Sequence, residues 1–311
     1  MKFDQDFWAV IVGGSSGFGL ATAEKLASHG MNLCIVHRDR RSAMSRIRAR
    51  FEKLKAHGVH VITFNIDGLS EQGRCRVLDE LSESLGNKGR VRLLLHSVAF
   101  GSLKLLVSEK PSDMPAKTRK NIARQAGIPE NVLDHVVHKL FDEGADVLHT
   151  LVDPPEYSEG RFLGREDFIR TIHAMGHNIV EWVQDMLARK LFASDARVIS
   201  ITSEGNSIAW RGYAAVAAAK AVLESVSRAM AVEFAPYGIR SNVIQAGVTD
   251  TAALRAIPGN RKIKSMAFLR NPLGRLTTPE DVANVIFLLC TDEAAWINGA
   301  LIRVDGGEAI A

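Results

Sequence analysis

The stretch WAVIVGGSSGFGLATAEKLASHG, from Trp8 to Gly30, constrains the fold more than any other. A short apolar run meets a glycine-rich turn, and the turn opens a helical pattern. Through Phe100 the chain repeats this alternation of short apolar runs and longer helical patterns. Such an order implies a parallel sheet covered by helices. Strands are expected at Trp8–Val12, Met31–Val36, His60–Phe64 and Val91–His96, and the helix expected from Ser42 to His57 is conspicuously basic.

The alternation resumes later, with a strand at Arg197–Thr202 before an alanine-rich helix, another strand in GIRSNVIQAG, a helix in TPEDVANVIFLLCTD and a closing strand in ALIRVDGG. Seven strands in a doubly wound α/β (Rossmann-type) order are therefore expected. The 311 residues read as one domain, with a charged helical insertion at 101–165 after the fourth strand. Pro111, Pro115, Pro129, Pro154 and Pro155 punctuate the insertion, and Val132, Val136, Val137 and Leu140 keep a helical period. It reads as an oligomer-contact arm or as a lid, because the loop after this strand leaves the carboxyl edge of the sheet, where ligands bind in such folds.

Composition excludes several classes. Apolar residues make up 46% and charged residues 24%, and no apolar run approaches the length of a membrane helix, about 20 residues. The start MKFDQDFWAVIVGG lacks the basic region of a secretory signal, so a cytoplasmic location is expected. A net charge of +4 mildly favours acidic partners, but with 6% aromatic residues and no basic cluster interleaved with them a nucleic-acid stacking platform is not expected. Cys34, Cys75 and Cys290 lie far apart and read as reduced structural thiols; no HExxH or paired-cysteine spacing occurs, and no metal is expected.

Gly13, Gly17 and Gly19 form GxxxGxG between a strand and a helix. Glycines there permit a sharp turn and the approach of a pyrophosphate to unpaired amides at the helix start, with Ser15 and Ser16 as further donors. At the end of the second strand His37 stands where NAD-selective folds place a carboxylate, and Arg38 follows. A guanidinium there suits a 2′-phosphate, which favours NADPH over NADH, although Asp39 lies one position further on.

With FNID after the third strand, Ser203, Tyr213 and Lys220 before and within the alanine-rich helix, and the ending NPLGRLTTPEDVANVIFLLCTDEAAWINGALIRVDGG, the chain resembles the short-chain dehydrogenase/reductase superfamily over about residues 7–100 and 165–308. The resemblance implies a nicotinamide dinucleotide along Gly13, Ser15, Ser16, Gly17, Phe18, Gly19, His37, Arg38, Asn65, Ile66, Ser97, Val98, Ala99, Lys220, Gly247, Thr249 and Thr251, and a homotetramer or homodimer. HSVAF after the fourth strand looks like the HSIAF of enoyl-acyl-carrier-protein reductases, and Tyr213 and Lys220 have their Y-x6-K spacing. Val216 occupies the place of the tyrosine in the Y-x3-K of ketone reducers.

Seven helical residues turn through about 700° and rise about 10 Å, so Tyr213 and Lys220 share a face two turns apart. In a ketone the oxygen that needs a proton adjoins the hydride acceptor; in an enoyl thioester it lies three bonds away, and a donor displaced along the helix suits it. The expected activity is reduction of the 2,3 double bond of an enoyl thioester, carried by acyl carrier protein or coenzyme A, with Tyr213 stabilising the enolate and Lys220 holding the ribose. Ser203 departs from the second tyrosine of many enoyl reductases and matches the substrate-binding hydroxyl of ketone reducers, so reduction of a 3-ketoacyl or similar carbonyl is the alternative. A protein that senses NADPH without turnover is the third. Val248 replaces a common proline, while the apolar and basic residues between Thr251 and Asn271 suit an acyl chain and an acidic carrier.

Overall fold

The computed structural model describes residues 2–108, 110, 112–157 and 162–311; Pro111 lies outside the described residues. The chain runs β1 (Phe7–Val12), α1 (Gly17–Ser28), β2 (Asn32–His37), α2 (Met44–Lys55), β3 (Val61–Asn65), α3 (Glu71–Leu85) and β4 (Arg90–His96). The 101–165 segment contributes α4 (Met114–Ala126) and α5 (Glu130–Asp142). Then follow α6 (Arg165–Ile172), α7 (Asn178–Ala188), β5 (Phe192–Thr202), α8 (Ala214–Glu233), β6 (Ile239–Ala246), α9 (Ala252–Arg255), α10 (Asn260–Arg270), α11 (Pro279–Leu289) and β7 (Leu301–Val304).

Seven parallel strands form one sheet in the order β3-β2-β1-β4-β5-β6-β7. This is the expected doubly wound fold. Successive residues of a strand point to opposite faces, so a strand covered on both sides must be apolar throughout. In β1, Ala9 and Ile11 join Leu20, Leu26, Val282 and Ile286 from α1 and α11. Trp8, Val10 and Val12 join Leu78, Ile179, Trp182 and Leu223 from α3, α7 and α8 on the other face. The strand order reverses between β1 and β4, and their carboxyl ends define the crevice where a ligand can enter.

TPED at the start of α11 forms a capping box. Thr278 Oγ1 accepts from the Asp281 amide at 3.3 Å, and Asp281 Oδ2 accepts from the Thr278 amide at 2.9 Å. The pair satisfies two of the helix's orphan donors.

β5 starts at Phe192, before the expected Arg197, because Asp195 is tied into the sheet by arginines from three strands. Arg92 Nη1 donates to Asp195 Oδ2 at 2.7 Å, Arg197 Nη1 to Oδ1 at 2.5 Å, and Arg240 also to Oδ1. Arg92 and Arg240 come from distant segments, so the polar start of β5 looks like a loop in sequence.

Within the insertion, Val137, Phe141 and Val152 form a small core of their own. The buried Arg119 ties α4 to Asp134 at 2.6 Å and to Asp153 at 3.0 Å. The unit docks on α10: Arg261 Nη1 donates to Asp146 Oδ1 at 2.5 Å, Ser265 donates to the same oxygen at 2.8 Å, and the Arg261 guanidinium lies 4.6 Å over the Phe141 ring.

Candidate active site

The turn after β1 is closed by contact. Gly13 has φ of +93°, and a Cβ there would sit 2.3 Å from the Ser97 carbonyl oxygen at the end of β4. Gly17, with φ of +53°, opens α1, and a Cβ there would meet only the Thr251 side chain, at 3.6 Å. Ser16 is the N-cap residue of α1, yet its side chain makes no capping hydrogen bond. A dinucleotide phosphate fits this arrangement: amides at a helix start, a spare hydroxyl, and glycine where a side chain would intrude.

Next along the sheet edge, His37 is buried and its Nδ1 lies 2.8 Å from Asp39 Oδ2. Asn65 exchanges two hydrogen bonds with the Asp39 backbone, at 2.9 and 3.1 Å, which fixes the loop after β2 against the end of β3. Asp39 is therefore engaged by His37. The half-exposed Arg38 reaches Asp67 Oδ2 at 3.3 Å and lies 4.6 Å over the Phe100 ring.

A cavity of about 620 Å³ opens beside the ends of β4, β5 and β6. It brings together Phe18, Ser97, Val98, Ala99, Ser203, Tyr213, Lys220, Gly247, Thr249 and Thr251 from the sequence expectation. His37, Arg38, Asn65 and Ile66 lie outside its lining, at the ends of β2 and β3, as do Gly13, Ser15, Ser16, Gly17 and Gly19 of the turn after β1. Pro115, Pro154, Pro155 and Tyr157 line it from the 101–165 segment, and Leu254, Ile257, Ile263 and Met266 line it from the stretch after Thr251, with Pro155 against Gly259.

Tyr213 caps α8, and its hydroxyl lies 3.4 Å from Ser203 Oγ. Burial pushes its pKa above the ordinary tyrosine value, against the Ser203 hydrogen bond, so the phenol stays protonated and can donate. Lys220 is 7% exposed, and its Nζ donates to the Ile201 carbonyl at 2.7 Å. Burial pulls its pKa down to about 8, with Glu224, one turn on, opposing. An ammonium has three donors, so the cavity side of Lys220 retains capacity for ribose hydroxyls.

Other neighbours stand outside the expected site residues. Glu224 Oε1 is held by Thr202 at 2.7 Å and Asn206 at 2.5 Å, which ties the turn bearing Ser203 to the helix bearing Lys220. His96, the first residue of HSVAF, is buried, and burial followed by the nearby Lys220 charge lowers its pKa to about 3. It is a neutral group at physiological pH. Glu308 Oε2 accepts from the Val248 amide at 3.1 Å and braces the loop that carries Thr249.

A family model described as enoyl-(acyl carrier protein) reductase matches residues 135–308, and one described as short chain dehydrogenase matches residues 7–121. The chain is 35% identical over 123 residues to the enoyl-acyl-carrier-protein reductase (NADH) FabI of Escherichia coli (strain K12), covering 40% of this chain and 47% of that one. It is 36% identical over 125 residues to the 1-cyclohexenylcarbonyl-CoA reductase of Streptomyces collinus, covering 40% and 45%. These alignments span less than half of each relative. A longer one, 31% identical over 179 residues, covers 56% of this chain and 72% of the cyclic-di-GMP-binding biofilm dispersal mediator protein of E. coli (strain K12). Among solved structures, FabI from Candidatus Liberibacter asiaticus superposes with a TM-score of 0.70 at 20% identity, covering 98% of this chain and 95% of that one. A 3-ketoacyl-(acyl-carrier-protein) reductase from Brucella melitensis gives 0.66 at 20%, covering 97% and 98%, so the likeness at this level is one of fold. Glycine turn, sheet order and family models agree: the chain belongs to the short-chain dehydrogenase/reductase superfamily, and its C-terminal half is of the enoyl-(acyl carrier protein) reductase type.

Proposed function

We propose that the protein reduces the 2,3 double bond of an enoyl thioester with NADPH. The observation that carries this is the placement of Tyr213 at the cavity wall, two turns before Lys220, while the position four residues before the lysine holds the buried, apolar Val216. The nicotinamide, when bound, supplies the hydride. Tyr213 holds its proton and offers it to the thioester oxygen on which charge accumulates, and the enol so formed returns to the thioester as its α-carbon takes up a proton. Lys220 binds the ribose, and its positive charge on the same helix face favours that donation. The glycine turn holds the pyrophosphate. Arg38, whose stacked guanidinium stands beyond His37, takes the 2′-phosphate. Leu254, Ile257 and Met266 give the acyl chain an apolar wall, the 101–165 segment lies over it as a lid, and the protein works as a homotetramer or homodimer.

The 3.4 Å approach of Ser203 to Tyr213 favours a second reading, in which both hydroxyls hold a ketone oxygen. One assay separates the two: consumption of NADPH with a 2-enoyl thioester, with a 3-ketoacyl thioester, and with neither. Turnover of the enoyl substrate is expected. Consumption of the ketoacyl substrate alone overturns the primary reading in favour of the second.

A further inference from the structure

Outside the cavity, one helix face gathers three metal-ligating side chains. His173 Nε2 lies 3.1 Å from Glu181 Oε1, and His177 Nδ1 lies 3.5 Å from the same oxygen. All three ligand atoms fall within 4.8 Å of one another, and none of the three residues lines the cavity. The backbone from His173 to His177 is a π-helical turn between α6 and α7, a departure common at functional sites. It leaves the two imidazole centroids 5.1 Å apart, tilted by 59°.

Glu181 is held for this role from behind. Its Oε2 accepts from Arg74 Nη1 at 2.6 Å and from Asn178 Nδ2 at 2.9 Å, which leaves Oε1 as the oxygen shared by both imidazoles. Arg74 is itself balanced by Asp185, whose Oδ2 accepts from its Nε at 3.0 Å, so the guanidinium does not leave the cluster with an excess of positive charge. Ligands bound at about 2.0–2.1 Å in a tetrahedron stand about 3.3–3.4 Å apart, close to the two separations found here. Two imidazoles and one carboxylate, anchored through its second oxygen, with a partly exposed outer side for water, match the donor set of zinc-class ions.

From this geometry we infer that His173, His177 and Glu181 bind a divalent transition ion of the zinc class, with water completing the coordination. The ion clamps the π turn from outside. On the inner side of that turn Ala174 and Met175 pack against Val216 and Ala219 of α8, and Met175 reaches the cavity wall.

The test uses the full chain stripped with a chelator and titrated calorimetrically with Zn²⁺ alone, alongside His173→Ala/His177→Ala. Wild type is expected to bind one ion at micromolar concentration or below and to melt at a higher temperature with Zn²⁺. The double variant is expected to lose affinity by more than about 100-fold, beyond the loss caused by removing an outer-sphere partner, and to show no Zn²⁺-dependent rise in melting temperature. Co²⁺ bound to wild type is expected to give the visible absorption bands of a four-coordinate site. Where the double variant does not fold, His177→Gln gives the same comparison. Equal binding by wild type and variant, or no binding by folded wild type, overturns the assignment.

Discussion

The hydroxyls of Ser203 and Tyr213 lie 3.4 Å apart at the cavity wall, close enough to share one proton acceptor between them. If Tyr213 alone serves an enolate oxygen, the two residues differ sharply in weight. Tyr213→Phe is expected to lower kcat by about 100-fold or more, the scale of a lost general acid, with the NADPH dissociation constant nearly unchanged. Ser203→Ala is expected to cost about tenfold or less, the scale of a single neutral hydrogen bond. Steady-state kinetics with an enoyl thioester, paired with cofactor titration, checks both. Equal losses in turnover and cofactor binding for Tyr213→Phe would contradict its role.

Arg38 stacks on Phe100 and meets Asp67 at the rim, while His37 occupies the Asp39 carboxylate. Arg38→Ala is therefore expected to weaken NADPH by about 10- to 100-fold, the worth of charge-assisted hydrogen bonds, and to leave NADH affinity unaltered. Fluorescence titration with the two cofactors measures the difference; a parallel loss for both removes Arg38 from 2′-phosphate recognition.

Lys220 has a pKa of about 8 in the folded chain, below the ordinary 10.5. Between these values the unfolded chain binds more protons than the folded one, so this group's contribution to stability rises with pH across the window. Its destabilising effect is fully present below about 8. Lys220→Met is accordingly expected to abolish turnover yet raise unfolding free energy at neutral pH by about 1–3 kcal/mol and flatten the rise above pH 8. Urea unfolding at several pH values reads this directly. In wild type, kcat/KM for cofactor is expected to fall as pH passes about 8.

Asp146 fastens the insertion to α10 through Arg261 and Ser265. Asp146→Ala removes an acceptor from both donors at a cost of about 1–3 kcal/mol. Hydrogen exchange in α4 and α5 is expected to quicken, and KM for the acyl substrate to rise several-fold more than KM for NADPH. Unchanged exchange would mean that the insertion is held by other contacts.

Much of this was legible in the chain because it is locally encoded. Continuous apolar runs marked the inner strands, TPED marked the start of α11, and the glycine spacing marked the turn above β1. What escaped depends on partners far away in sequence. The start of β5 is held by Arg92 and Arg240, and the engagement of Asp39 depends on how His37 turns at a strand end. The cluster of His173, His177 and Glu181 was hidden for the same reason. Its spacing is neither HExxH nor a cysteine pair, and Arg74, which orients its carboxylate, comes from α3.

Val216 carries a consequence of its own. Buried beside Ala174, Met175 and Ala219, it crowds Gly101, where even a Cβ would come within 2.8 Å of its methyl group. Val216 also lines the cavity, so the wall four residues before Lys220 is a small apolar side chain packed on the π turn. Through Val216 the cavity wall and the π turn share one packed cluster, so a change of side-chain volume there is felt by both.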